Sequence, residues 1–259
     1  MTIENKVIMI TGALGQIGSS LAKSVLHKEG KVVAFDIKKE LTNELLGLKS
    51  DYSDNLIYIQ TDIRDKQQIN SSFKRAIDHF GRIDALVNNA GVNIFSPWNE
   101  RTDNELDQVI NVNLKGSINC LQNFLKHCND KDRIGTIVNV ASHYGVISTD
   151  QRIYTDTDRR SSEIYSATKA GIIQLTKYFA TNALLDGINV RINAVAPGGV
   201  RDTENPQGED FIKNYSYRCP MNRLAEVEEI VEPILFLISE ESSYINGHTL
   251  VIDGGMSAW

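Results

Sequence analysis

Short runs of β-branched and apolar residues alternate along the whole chain with longer segments whose apolar side chains recur every three or four positions. Val7–Ile10, Val32–Phe35, Leu56–Ile59, Ala85–Val87, Thr136–Val140, Val190–Val195 and Leu250–Ile252 read as strands, and several are apolar at consecutive positions, as strands covered on both faces must be. Ile17–Lys28, Gln67–Phe80, Asn104–His127, Ile164–Leu185 and Val227–Ser239 have the spacing of helices that cover a sheet. The order predicts a doubly wound α/β fold, a seven-stranded parallel sheet with helices on both faces and right-handed crossovers. With no repeat, low-complexity tract or linker, residues 1–259 read as a single domain. Two stretches break the alternation: His143–Glu163, polar and rich in Thr, Asp and Arg, and Gly198–Asn222, which holds Pro206, Gly208 and Pro220. Irregular segments this long in a compact domain are usually lids or binding walls, so both are expected at the active-site end of the sheet.

Composition narrows the function classes. A net charge of −6 offers no clustered cations for phosphate backbones, which argues against a nucleic-acid partner and for small-molecule chemistry. Cys120, Cys128 and Cys219 are odd in number and lack C-x-x-C spacing, so neither a disulfide framework nor a metal site is expected. No basic, then long apolar, leader precedes Val7, and the apolar run 234–238 is far shorter than the ~20 residues that span a bilayer. A cytoplasmic protein without a membrane partner is the expectation.

Strand Val7–Ile10 runs into Thr11-Gly12-Ala13-Leu14-Gly15-Gln16-Ile17-Gly18, where the first helix begins. Glycines there let the backbone turn tightly and approach a pyrophosphate, whose charge is met by free N–H groups at the helix start. The strand–turn–helix context marks a dinucleotide site. Asp36 ends the second strand, where a carboxylate accepts hydrogen bonds from ribose hydroxyls and repels a 2′-phosphate; NAD is therefore expected over NADP, with Lys38 and Lys39 as the residues that would favour NADP if turned inward. Tyr165 and Lys169 stand at i and i+4 of a predicted helix, so an ammonium adjoins a phenol and is expected to favour the phenolate for general-base work.

With these motifs in order, the chain resembles the short-chain dehydrogenase/reductase family over nearly its whole length. Asn88-Asn89-Ala90-Gly91, Asn111-Val112-Asn113-Leu114-Lys115-Gly116, Asn139-Val140-Ala141-Ser142, Pro197-Gly198 and Asp253-Gly254-Gly255 resemble further segments of that family. The resemblance implies a Rossmann-type domain, a homotetramer or homodimer, and a catalytic set of Asn113, Ser142, Tyr165 and Lys169. In that set Tyr165 exchanges the substrate hydroxyl proton, Ser142 stabilises the oxygen, Lys169 lowers the phenol pKa and holds the nicotinamide ribose, and Asn113 orders a water. It further implies cofactor contacts from Gly12, Leu14, Gly15, Gln16, Ile17, Gly18, Asp36, Asp62, Ile63, Asn89, Ala90, Gly91, Pro197, Gly198 and Val200. Two departures stand out. The glycines are spaced as in the longer, nucleotide-sugar-modifying branch, and Asp202 occupies the position that commonly holds threonine, with Thr203 displaced by one.

Twenty-two residues separate Ser142 from Tyr165, more than in a short family member, which predicts an enlarged, polar substrate wall. His143 is a candidate substrate contact beside Ser142 and Tyr165, and Arg152, Arg159 and Arg160 are candidates to meet a phosphate. The loop and glycine spacing are similar to those of dehydrogenases that make bacterial surface and flagellar sugars, so a secondary alcohol of a sugar, phosphorylated or nucleotide-linked, is the first substrate expectation. A 3-oxoacyl thioester or steroid-type ketone reductase is the alternative enzyme. A non-catalytic NAD-binding regulator is the alternative of another class.

Overall fold

The computed structural model describes residues 2–128, 133–155, 160–202 and 205–259. Seven parallel strands, β1 (Val7–Thr11), β2 (Lys31–Asp36), β3 (Leu56–Gln60), β4 (Ala85–Asn88), β5 (Gly135–Val140), β6 (Val190–Pro197) and β7 (Thr249–Ile252), form one sheet in the order β3-β2-β1-β4-β5-β6-β7. Each predicted strand is present and extends one or two residues further. Consecutive apolar residues in β1 and β6 are buried throughout because both faces of these strands are covered. Ile8, Ile10, Val32, Val87 and Val138 pack with Leu21, Val25, Ile234 and Leu235 on one face. Met9, Val33, Phe35, Leu86 and Ile137 pack with Phe73, Phe124 and Ala180 on the other.

The helices are α1 (Gln16–His27), α2 (Asn43–Asp51), α3 (Lys66–Phe80), α4 (Asp103–Val109), α5 (Ser117–His127), α6 (Glu163–Leu185), α7 (Glu209–Arg218) and α8 (Glu228–Ile238). Two of them, α2 and α7, escape the periodicity reading because they bury so little: Leu45 and Leu48 in α2, Tyr215 alone in α7. The single helix expected over Asn104–His127 is instead α4, a π-helical segment Ile110–Gly116 and α5. Such widened turns cluster at functional sites, and this one holds Asn113. The stretch His143–Glu163 carries short 3₁₀ turns at His143–Gly145 and Gln151–Ile153, and Gly198–Asn222 carries α7. Among the described residues no helix is long and apolar enough to cross a membrane.

Strand order reverses at β1: the chain runs outward to β2 and β3, then returns past β1 to β4 and onward. Connections leaving β1 and β4 therefore diverge, which opens a crevice at their carboxyl ends.

Candidate active site

A crevice of about 580 Å³ lies at that switch point. Its floor is two turns bound edge to edge. The Thr11 hydroxyl accepts from the backbone N–H of Asn89 (3.0 Å) and of Ala90 (3.1 Å), while the Asn89 amide donates to the carbonyls of Thr11 and Gly12, both at 3.0 Å. Gly12 has φ +64°, and a Cβ there would meet Ala90 Cα at 2.8 Å. At Gly18 a Cβ would lie 2.2 Å from the Gly12 carbonyl oxygen, so this glycine lets α1 close on the turn from beneath and is not in the crevice wall. Gly15 stands where α1 begins without a side-chain cap, leaving first-turn N–H groups open for an anion.

Leu14, Gln16 and Ile17 line the crevice from this turn, Asp36 from the end of β2, Asp62 and Ile63 after β3, and Ala90 and Gly91 after β4. Asp36 is braced: Oδ2 accepts from Leu14 N–H at 3.0 Å and Oδ1 from Lys38 N–H at 3.1 Å. Each oxygen keeps a lone pair for a further donor. Lys38 also lines the crevice, as do Phe35, Thr61, Arg64 and Val112, which the motif reading missed. Asp62 is held by Arg64, whose Nε and Nη2 reach its oxygens at 2.6–3.0 Å; that guanidinium keeps the Asp62 carboxyl below its usual pKa. A narrow cradle of backbone N–H groups, a negative charge after β2 and an apolar slot between Ile63 and Val112 fit a nicotinamide dinucleotide.

The second group of side chains is carried by α6. Ser162 caps this helix by accepting Tyr165 N–H at 3.2 Å, and Glu163 adds a negative charge to the first turn, where the helix dipole favours it. The cap fixes where the helix starts, so Tyr165 is its third residue and Lys169 follows one turn later. Lys169 Nζ lies 5.6 Å from the centre of the Tyr165 ring and donates to the carbonyl of Val140, at the end of β5, at 2.7 Å. It also comes within 3.5 Å of where a Cβ on Gly91 would stand, which links this group to the crevice. Ser142 follows β5, accepts Tyr144 N–H at 3.1 Å and shares the substrate-side cleft with Tyr165, whose phenol its hydroxyl pulls toward the ionised form.

Asn113 is buried in the π segment with its amide fully engaged. Oδ1 accepts from Val92 N–H at 2.8 Å, and Nδ2 donates to the Val92 carbonyl at 2.8 Å and to Thr168 Oγ1 at 3.3 Å. The side chain therefore braces the segment after β4 against α6. A buried amide row runs beside it, from Asn88 to Asn139 (2.9 Å) and from Asn139 to Thr176 (2.9 Å).

One electrostatic expectation is overturned. In the cofactor-free protein burial dominates over any help from Lys169: it pushes the Tyr165 pKa up, the Ser142 hydroxyl pulls it partly back, and Tyr154 adds to the rise. Burial also lowers Lys169 to about 8. Both groups lose solvation together, and desolvation favours the neutral form of each.

A second cleft of about 390 Å³ opens beside Ser142 and Tyr165. His143 lines it as anticipated, with Asn93, Phe95, Tyr154, Ser161 and Gln207. Phe211 and Tyr215, one turn apart on α7, close its far side, and their i, i+4 spacing was the available signal for them. His143 Nδ1 sits 2.9 Å from the Pro197 carbonyl, which can only accept, so Nδ1 carries the proton and Nε2 is a bare acceptor with no partner among the described residues. Burial lowers the His143 pKa and keeps the ring neutral.

Pro197, Gly198 and Val200 sit apart from the crevice wall. Gly198 lines the substrate-side cleft, and Val200 pairs with Ala225 in a parallel bridge. Asp253 accepts from Gly255 and Ser257 N–H (3.0 and 2.9 Å), and its backbone packs so close to Gly198 that a Cβ there would fall 2.9 Å from Asp253 Cα; the C-terminal Asp-Gly-Gly thus shapes this turn. Asp202 N–H donates to Gln207 Oε1 at 3.3 Å. Arg152 is turned away to Asp150 at 2.8 Å, Arg160 lines a separate outer cavity, and Arg159 and Thr203 lie outside the described residues. Among the described residues no cluster could hold a metal ion, and all three cysteines are free thiols.

Residues 12–257 match the family model described as enoyl-(acyl carrier protein) reductase. The chain is 36% identical to the 3-oxoacyl-(acyl-carrier-protein) reductase FabG of Thermotoga maritima, covering 99% of each chain. It is 31% identical to the post-translational flagellin modification protein A of Campylobacter coli, covering 98% of each. The crystal structure of a short chain dehydrogenase from Leptospira borgpetersenii with bound NAD+ superposes with a TM-score of 0.88 at 35% identity, covering 99% of this chain and 94% of that one. Together with the parallel sheet and the crevice at its switch point, these likenesses establish that the chain belongs to the short-chain dehydrogenase/reductase family and is an oxidoreductase acting on CH–OH groups.

Proposed function

We propose that this enzyme interconverts a secondary alcohol and a ketone on a sugar, with NAD as the preferred cofactor and Tyr165 as the proton-transfer group. The observation that carries the reading is the meeting of Ser142, Tyr165 and Lys169 between the dinucleotide crevice and a cleft lined by polar groups. When bound, the nicotinamide takes or returns hydride at the carbinol carbon. In the oxidative direction Tyr165 removes the hydroxyl proton, and in the reductive direction it supplies one to the carbonyl oxygen. Ser142 holds that oxygen as charge develops on it. Lys169, still mostly protonated at pH 7 with a pKa of about 8, faces the phenol and stabilises it as it ionises. Asn113 positions Val92 through its side chain, which leaves its main-chain carbonyl as the atom to hold a water; that carbonyl already accepts from Ser117 Oγ at 2.8 Å.

A hydroxylated substrate is favoured by His143, whose Nε2 is left unsatisfied unless a donor reaches it, and by Asn93, Ser161 and Gln207 around the same cleft. The relative named for flagellin modification supports the same choice. The aromatic residues Phe95, Phe211 and Tyr215 favour a second reading, an acyl-thioester or steroid-type ketone. Relatives named 3-oxoacyl reductase and 7alpha-hydroxysteroid dehydrogenase agree with that reading. Asp36 supports NAD over NADP. A panel of sugars, sugar phosphates, nucleotide sugars, acyl thioesters and steroids, followed by nicotinamide absorbance with each cofactor, decides between them. Turnover of a thioester or steroid with none on any sugar overturns the sugar reading, and NAD binding without turnover on any class would mark a binding protein.

A further inference from the structure

We infer that the cavity of about 850 Å³ next to the substrate cleft is an outer subsite for a second ring of the substrate, one that stacks on Trp98 and presents hydrogen-bonding groups at its edge. The inference rests on the reading that the reacting group occupies the inner cleft. Ser161 lines both spaces, and the segment from Asn93 to Arg101 walls first one and then the other. The partition between them is tied in place: Arg160 N–H donates to the Phe95 carbonyl at 3.0 Å, Ser162 Oγ to Asn93 Oδ1 at 2.9 Å and Gln151 Nε2 to the Ser161 carbonyl at 2.9 Å. The shared Ser161 puts the outer cavity beside the inner cleft, and it has no lining residue in common with the cofactor crevice. The inner cleft, at about 390 Å³, is near the small end of ligand sites of roughly 300–1,000 Å³, so a substrate that outgrows it has this adjoining space.

The lining specifies the chemistry. Trp98 is 77% exposed, a large indole with an open face at the cavity rim. Such a side chain stacks on a planar base or on the C–H face of a sugar ring. Two buried polar atoms of the same wall have no partner among the described residues: Nε of Arg101, a donor, and Oε1 of Gln151, an acceptor. Arg101 is otherwise pinned, its side chain only 1% exposed and its terminal nitrogens bound to Glu163 and to the Ser96 carbonyl. Its charge is thus matched by Glu163, and Glu100 and Arg160 on the same wall are of opposite sign, so the lining holds no excess of positive charge and favours a neutral ring that both donates and accepts over a bare anion. A nucleobase of a nucleotide-linked sugar and a second saccharide share this chemistry.

Only Trp98 and Trp259 are tryptophans, so a Trp259→Phe background makes Trp98 the sole indole reporter. With NAD saturating, to fill the adenine end of the crevice, the protein is titrated in separate arms with uridine monophosphate, with N-acetylglucosamine and with inorganic phosphate. Saturable quenching by the nucleotide or by the sugar is expected, with calorimetric affinity falling tenfold or more in Trp98→Ala and in Gln151→Leu while NAD affinity holds. The arm that responds identifies the source of the ring. No saturable response in either ring arm, an affinity unchanged by Trp98→Ala, or a response to phosphate alone overturns the subsite. So does quenching that grows with protein concentration and tracks dimer formation in sedimentation, because Trp98 is then covered by another copy. The titration involves no turnover, so its outcome stands apart from that of the substrate panel.

Discussion

The cofactor crevice and the substrate cleft face each other across Lys169 and Tyr165, yet they are built differently. In the crevice the main chain shapes the glycine turn and its surroundings: an uncapped helix start, glycines where a Cβ would strike a neighbouring backbone, and two N–H groups that brace the Asp36 carboxylate. In the cleft, side chains from the two stretches that break the strand–helix alternation supply the surface: His143 and Tyr154 from one, Gln207 and the α7 residues Phe211 and Tyr215 from the other. Backbone recognition tolerates no added atoms but holds one shared ligand in any member of the fold, whereas a side-chain wall is free to follow its substrate. Changes in the crevice should therefore alter cofactor affinity, and changes between the two spaces should alter turnover.

The largest effect tests that boundary. Tyr165→Phe keeps the ring and removes the proton-transfer oxygen, so kcat should fall by about 10²–10⁴ with NAD affinity within twofold of wild type. Turnover at the wild-type rate would remove Tyr165 from the mechanism. In the cofactor-free protein the difference in tyrosinate absorbance between wild type and this variant should show Tyr165 titrating above the ordinary phenol value near 10, because burial outweighs the Ser142 contact.

Lys169 gives the next effect, on stability. Its folded pKa of about 8 lies below the ordinary 10.5, so the unfolded chain holds this proton more tightly. The buried charge is a cost below pH 8 that is relieved as pH rises toward 10.5, and stability climbs wherever the unfolded state binds more protons. Tyr165, raised in the folded state, opposes this only above pH 10. Cys120 and Cys128, which burial pushes up to about 12, oppose it from about pH 9, so the Lys169 gain between pH 8 and 10, roughly 3 kcal/mol at most, is read as the difference between wild type and Lys169→Met. Lys169→Met should be more stable than wild type at pH 7 and should lack the climb, as denaturant melts across pH would show; equal slopes for the two proteins would contradict the burial of this charge.

Within the crevice, Gly18→Ala places a methyl 2.2 Å from the Gly12 carbonyl. The turn must shift, at a cost of about 1–3 kcal/mol, and NAD should bind tenfold or more weakly while a cofactor-independent substrate contact, read by saturation at high NAD, is retained. Asp36→Ala is subtler: the wild type should prefer NAD to NADP by about tenfold, near 1.4 kcal/mol, and the variant should narrow that gap. Equal wild-type affinities would place Lys38, which lines the same wall, ahead of Asp36 in setting the choice.

The contrast also explains what the sequence disclosed. The glycine turn, Asp36, Asp62 and the Asn89-Ala90-Gly91 segment were legible because they lie next to strand ends, and a strand end fixes where its neighbours point. Gly18 was read as a cofactor contact, yet spacing alone cannot distinguish a glycine that faces a ligand from one that lets two backbones touch. Tyr165 and Lys169 were legible as a pair, but the sign of the phenol shift was not, because desolvation depends on everything packed around the ring. Helices α2 and α7 were missed since one or two buried positions leave no periodic stripe. The π segment at Asn113 leaves the apolar spacing of a plain helix almost unchanged, so a single helix was the natural reading of 104–127.

The smallest effect sits at the seam between the two regions. Ser162 ends the irregular stretch and starts α6: its hydroxyl oxygen accepts Tyr165 N–H while its hydrogen goes to Asn93 Oδ1 in the cleft wall. One side chain thus fixes both the helix start that aims Tyr165 and the position of a substrate-side residue. Ser162→Ala removes the cap, for which about 1 kcal/mol of stability is the usual loss. Loss of the cap alone would leave kcat nearly intact, because Lys169 and Val140 still hold the following turn of the helix. If Asn93 also loosens, KM should rise severalfold with kcat little changed, whereas Ser162→Thr, which keeps the hydroxyl, should restore both stability and KM. A drop in kcat as large as that of Tyr165→Phe would mean that the phenol depends on the loop for its position, and the division between a backbone-built cofactor side and a side-chain-built substrate side would then fail at the catalytic residue itself.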